Sequence, residues 1–157
     1  MKIVINKCYG GFVLSRSATA LLAKLQGRKV YFFKTDYKDD GESFVALKNP
    51  FKEPEDLFGS AFDIPNPNKF IPKKKKWLEM TDAEKKSVNE LYGKHSICFR
   101  DIERRDPLLI RVVEKLGKKA DGRGSKLKIV NIPDGVDYEI SDYDGVEHIA
   151  EKHRTWD

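Results

Sequence analysis

Near the start of the chain, Asn6, Cys8, Tyr9, Gly10, Gly11, Ser15 and Arg16 are the residues whose types and spacing could do chemistry. They follow an apolar run and precede a helical pattern, so a strand ends in glycines and feeds a helix start. Glycines let a backbone approach a ligand, and the free N–H groups of a first helical turn point at negative charge. This pattern could form an anion cradle. Glycine amides would take a phosphate, Ser15 would add a hydroxyl, Arg16 a charge, and Tyr9 a face for a base or ring. A plain strand-to-helix connection whose glycines merely permit positive φ accounts for the same residues. The sharper phosphate signatures, G-x-x-x-x-G-K-[ST] and G-x-G-x-x-G, are absent. Seven residues separate Cys8 from Arg16, too many for a tyrosine-phosphatase loop. A thiolate nucleophile also needs a lowered pKa and access, and no catalytic signature accompanies Cys8.

Three further clusters carry charge. Between Arg100 and Asp106, three arginines alternate with three acids at a helix start. Arg100 and Arg105 could grip a phosphate or carboxylate in bidentate fashion or join the acids in surface ion pairs, and Glu103 and Arg104 read as members of such surface pairs. At the other end stand Glu147, His148, Glu151, His153 and Arg154. On a strand, Glu147, Glu151 and His153 share one side, which suits acid/base work or the charged outer face of a hairpin. The HExxH helical spacing is missing and no cysteine joins them, so no metal site and no cofactor are expected. Trp156, one residue from the end, is expected to dock and bring Arg154 with it. Lastly, Lys73 to Lys76 precede Trp77, which could track a nucleic-acid backbone or serve as a solvated loop.

The elements that must position these residues alternate between strands and helices. Residues 2–8 form an apolar strand, and Ser15 caps a helix with Ala18, Leu21, Leu22 and Leu25 on one face before Gly27. Val30 to Tyr37 and Ser43 to Leu47 make a hairpin around Asp39-Asp40-Gly41. Five of the seven prolines fall in 49–77, which reads as a loop or flap whose aromatics pack part of it down. Thr81-Asp-Ala-Glu84 is a capping box for a helix to Tyr92, and Ser96 to Arg100 suits a short strand. Asp106-Pro107 opens the clearest helix, ended by Gly117. A strand at 126–132 and a hairpin at 136–152 close the chain. This order predicts an α+β fold in a single domain, 1–157, with a mixed or mainly antiparallel sheet and about three helices packed on it.

Composition bounds the rest. The 157 residues are 39% apolar and carry a net charge of +5. Without the four consecutive lysines, 26 basic residues face 25 acidic ones, so the basicity is local and argues against general nucleic-acid binding. No apolar run is long enough to span a membrane, no secretory signal is visible, and Cys8 and Cys98 are too few for a disulfide framework. A cytoplasmic protein with two reduced, buried cysteines is expected.

Two blocks carry a resemblance. One is Val4-Ile-Asn-Lys-Cys-Tyr-Gly-Gly-Phe12 with Leu14-Ser15. The other comprises Arg105-Asp-Pro-Leu-Leu109, Val113-Glu-Lys-Leu-Gly117, Leu127-Lys-Ile-Val-Asn-Ile-Pro-Asp134, Tyr143-Asp-Gly145 and Glu151-Lys-His-Arg-Thr-Trp156. Together they resemble a family of small uncharacterised proteins of phages and bacterial genomes. The resemblance implies no established chemistry. Its phage context implies a binder of host nucleotides or host proteins, as a ligand-sequestering protein or an inhibitor. The expectation is a binder of a small anionic ligand such as a nucleotide. The alternatives are an interaction module acting on a host protein, and an accessory protein for nucleic acid. A homo-oligomer is compatible with each.

Overall fold

The apolar N-terminal run forms a strand in the computed structural model, which describes residues 1–38, 41–53, 59–73 and 75–152. The elements in chain order are β1 (Lys2–Asn6), α1 (Arg16–Leu25), β2 (Tyr31–Lys38), β3 (Gly41–Ala46) and β4 (Gly59–Phe62). They continue as α2 (Asp82–Glu90), α3 (Pro107–Leu116), β5 (Leu127–Asn131), β6 (Tyr138–Tyr143) and β7 (Val146–Glu151). The fold is α+β. Its strands fall into three small antiparallel sheets, β1–β5, β3–β2–β4 and β6–β7, where the sequence suggested one. The chain divides into two compact units, Met1–Leu22 with everything from Phe99 onward, and Ala23–Cys98.

In the first unit, β1 pairs with β5 from Lys2 opposite Asn131 to Asn6 opposite Leu127. Ile3, Val4 and Ile5 are all buried, which is why the run has no polar alternation. Helix α3 packs on both strands, presenting Leu109, Val112 and Val113 at helical spacing. Asp106 caps it by accepting from the N–H groups of Leu108 and Leu109 at 2.7 and 2.9 Å, with Pro107 at the first helical position. The β6–β7 hairpin turns through Asp144 and Gly145, at φ 51° and 84°. Two successive positive φ values give the turn twist that matches paired strands.

In the second unit, the core gathers Phe33, Phe44, Phe62, Ile71, Met80, Val88 and Leu91. The Phe44 and Phe62 rings meet edge to face at 4.9 Å between centroids, with Phe33 and Tyr92 alongside. Each edge of its sheet is met by a neighbouring segment. The Asn68 side chain accepts from the N–H and donates to the carbonyl of Phe44 on β3, at 2.8 and 2.7 Å. Beside β4, Ile97 donates to Ala61 and Asp63 donates to the carbonyl of His95. Covered edges block unwanted strand addition.

Several expectations need revising. Within the proline-rich segment 49–77, β4 and a short 3₁₀ turn at Pro67–Phe70 are regular, and Phe62, Pro67 and Ile71 are the parts packed down. The strand expected at 96–100 reduces to one bridge, Phe62 opposite Ser96. Helix α2 starts at the expected capping box but passes Gly93 as a π turn, Leu91–His95. Cys98 is exposed and Cys8 half-buried, although both sit in apolar runs. The Asp39-Asp40 turn lies outside the described residues. Because Phe62 fills the centre of the aromatic cluster, Phe62→Ala should cost about 3–5 kcal/mol, read as a lowered urea midpoint with an unchanged slope.

Candidate functional site

The first unit is braced by Asn6, the last residue of β1, which is fully buried. Its Nδ2 donates to the carbonyls of Cys8 and Gly145, each at 2.6 Å. Its Oδ1 accepts from the N–H of Lys126 at 2.8 Å and of Cys8 at 3.3 Å. Two donated and two accepted bonds fill an amide's capacity, so Asn6 has none left for a ligand. The Asn6 N–H itself donates to Oε2 of Glu147 at 2.8 Å.

Glu147 is buried on β7 and its other oxygen, Oε1, accepts from Nη2 of Arg104 at 2.9 Å. Arg104 Nη1 donates to the carbonyls of Arg100 and Ile102, and the guanidinium lies 3.4 Å from the centre of the Phe12 ring. The Arg104 carbonyl accepts from Val4 on β1. Arg104 and Glu147 are thus a satisfied inward pair with every charge matched. This corrects the reading of Arg104 as a surface ion pair and of Glu147 as part of a charged outer face.

Three turns converge above this network. At Gly145, an added Cβ would stand 2.3 Å from the Gly11 nitrogen and 2.9 Å from that of Gly10. At Gly10, φ is 121° and an added Cβ would stand 2.6 Å from the Gly124 carbonyl oxygen. Gly10 therefore serves backbone-to-backbone packing, a use that a cradle reading did not include, while Gly11, whose added Cβ would meet nothing, answers to its φ of 88°. Beside the junction stand two tyrosines, Tyr9 at 65% and Tyr143 at 77% exposure. Arg123 and Lys126, on either side of Gly124, are also exposed.

The other expected site residues divide clearly. Ser15 is buried; its hydroxyl donates to the Lys119 carbonyl at 2.6 Å and accepts from the Ala18 N–H at 3.1 Å. It caps α1 and has no hydroxyl proton left for a phosphate. Arg16 is half-buried in the first turn of α1. Arg100 is exposed. Arg105 is exposed too, but Nε and Nη2 both donate to Oε1 of Glu103, at 3.1 and 2.9 Å. His148 and Glu151 are exposed on β7. His153, Arg154 and Trp156 lie outside the described residues.

The second unit holds a polar cluster that the sequence did not announce. His95 Nδ1 lies 2.9 Å from Asp63 Oδ1, and Arg28 Nη2 donates to Asp63 Oδ2 at 3.2 Å. The signal was thin, since Asp63 sits in a proline-rich stretch and His95 follows a glycine that suggested a helix end. Partial burial pushes the Asp63 carboxyl up, but the hydrogen bonds and charges of His95 and Arg28 outweigh it and hold the group below its ordinary range.

No protein family, curated protein or solved structure matches this chain. The site is therefore read from its own geometry. Among the described residues, no group of three or more His, Cys, Asp or Glu side chains could hold a metal ion. Nor is any helix there long and apolar enough to cross a membrane. What the first unit presents is a braced junction of three turns rimmed by aromatic rings and cations.

Two predictions follow from this geometry. Gly145→Ala should lower the melting temperature well beyond Gly135→Ala, because both glycines have positive φ but only position 145 meets backbone. Equal losses in the two variants would mean that the close approach contributes nothing. For Asp63, the folded carboxyl titrates below the unfolded one, so its contribution is present above the unfolded value near about 4. That contribution is lost as pH falls through the lower folded value. Asp63→Asn should therefore destabilise at neutral pH and reduce the acid-limb slope of stability against pH, measured by urea unfolding.

Proposed function

We propose that this protein binds a small anionic ligand carrying a planar ring, with a nucleotide as the representative, where the three glycine turns meet. The observation that supports this reading is the pair of exposed tyrosines, Tyr9 beside the Gly10-Gly11 turn and Tyr143 at the β6 end beside the Gly145 turn, the two turns being in close backbone approach. A ring held on a braced backbone has little freedom left to lose when a flat ligand stacks on it. Arg123 and Lys126 place positive charge on the third turn, where it would attract phosphate. Compared with a cradle built from Ser15, Arg100 and Arg105, this site draws on neither a hydroxyl committed to capping α1 nor an arginine already bonded to Glu103. It is a binding role, with no reaction attached. The resemblance to phage and bacterial proteins fits a sequestering function.

A second reading has its own observation. Trp77 and Leu78 are 47% and 91% exposed on a 3₁₀ turn, Trp77–Glu79, beside the exposed Lys73 and Lys76. This turn would serve an interaction module acting on a host protein. Deleting the surrounding segment would not test it, because the deletion removes β4 and Phe62.

A thermal-shift screen against nucleotides, cyclic nucleotides, ADP-ribose derivatives and inorganic phosphate separates the readings. A nucleotide-class ligand at a hundredfold excess over Kd should add about 2.7 kcal/mol of stability. Tyr9→Ala and Tyr143→Ala should each abolish that gain while melting like the parent without ligand. A flat response across the panel sinks the proposal, and Leu78→Asp then becomes the variant to test against protein partners.

A further inference from the structure

The outer edge of β5, like those of β6 and β7, has no neighbouring strand among the described residues. Residues 126, 128, 130 and 132 face β1, as shown by Lys7 donating to the Lys126 carbonyl and Ile132 donating to that of Met1. Residues 127, 129, 131 and 133 therefore direct their backbone groups away from β1. Two of these four positions are closed to strand addition. The Leu127 N–H donates to Oδ1 of Asp121 at 2.9 Å, and Pro133 has no N–H. Ile129 and Asn131 remain, with no hydrogen-bond partner for their outward N–H or carbonyl among the described residues. Asn131 is exposed and Ile129 half-buried.

We propose that this edge pairs with the same edge of a second copy of the chain, through a two-fold axis at Val130. That register sets Ile129 opposite Asn131 of the second copy, and Asn131 opposite Ile129 of the second copy. Antiparallel partners of this type exchange both N–H···O bonds, so four hydrogen bonds use the open groups and no others. The closed positions also match, since Leu127 falls opposite Pro133 of the second copy. Lys128 stands opposite Ile132, which avoids lysine facing lysine, and Lys126 stands toward the exposed Asp134 of the second copy, whose carboxylate also pairs with its own N-terminal amine at 2.6 Å. A foreign strand would satisfy the hydrogen bonds, but the end-matching and the charge pairing are specific to self-association. Two-stranded sheets are marginal alone, and the pairing makes β1–β5 the half of a four-stranded antiparallel sheet. The short ladder predicts a weak dimer, populated as concentration rises.

Sedimentation of the full chain over a wide concentration range tests this. The expected result is a monomer–dimer equilibrium that Asn131→Pro abolishes and Asn131→Thr retains, because only proline removes the outward donor. A monomer at every concentration, or a dimer that survives Asn131→Pro, overturns the proposal. Cross-linking gives a second measurement that does not depend on how proline is tolerated. In a Cys8→Ser, Cys98→Ser background, Val130→Cys should form an intermolecular disulfide on mild oxidation, and Lys128→Cys should not. Equal cross-linking at the two positions would show that no two-fold axis lies at Val130.

Discussion

The first unit depends on one buried amide. Asn6 joins the end of β1 to its own turn at Cys8, to the loop before β5 at Lys126, and to the hairpin turn at Gly145. Lys126 and Gly145 lie 120 and 139 residues from Asn6 along the chain, and no single apolar contact could hold all these segments in a fixed register. A side-chain amide can, because its two donors and two acceptors have set directions and a buried one must use them. Glu147 and Arg104 extend the same logic by one shell. The carboxylate takes the Asn6 N–H on one oxygen and the guanidinium on the other. The arginine carbonyl then returns to β1 at Val4.

This bracing explains why glycine stands at each turn of the junction. Once Asn6 draws the Gly145 carbonyl to 2.6 Å, the hairpin turn is pressed onto the Gly10-Gly11 backbone, and a side chain at 145 has nowhere to go. The side chains that flank the glycines are then forced outward. Tyr9, next to Gly10, and Tyr143, at the end of β6, are both left exposed. The proposed site is in this sense a by-product of tight backbone packing below it.

What could be read from the sequence follows the locality of the physics. Helix α3 was legible to the residue, because Asp106, Pro107 and Gly117 act within one turn of where they stand. The hairpins were legible for the same reason, through Asp144-Gly145 and the β-branched runs. The α+β class came from their order. The site was legible only in outline. Asn6, Gly10 and Gly11 were recognised as special, but their partners are Lys126, Gly124 and Gly145, and distance along the chain hides such pairings. Ser15 drew attention as a hydroxyl near a helix start, and that position is also where a cap belongs. Glu147 and Arg104 were misread because charged residues are usually outside, and a buried matched pair leaves no local trace. The proline count of 49–77 suggested a flap, whereas Phe62 within it had already marked the segment for burial.

The division of the chain into two units has a consequence for synthesis. The second unit, Ala23–Cys98, is complete in sequence before any of α3 or β5 has been made. Strand β1, by contrast, waits for a partner that leaves the ribosome more than a hundred residues later. At ordinary rates of translation that delay is on the order of ten seconds. During this interval Ile3, Val4 and Ile5 lack the strand they pair with in the folded unit. The register of β1 is therefore fixed only when the last third of the chain has been made.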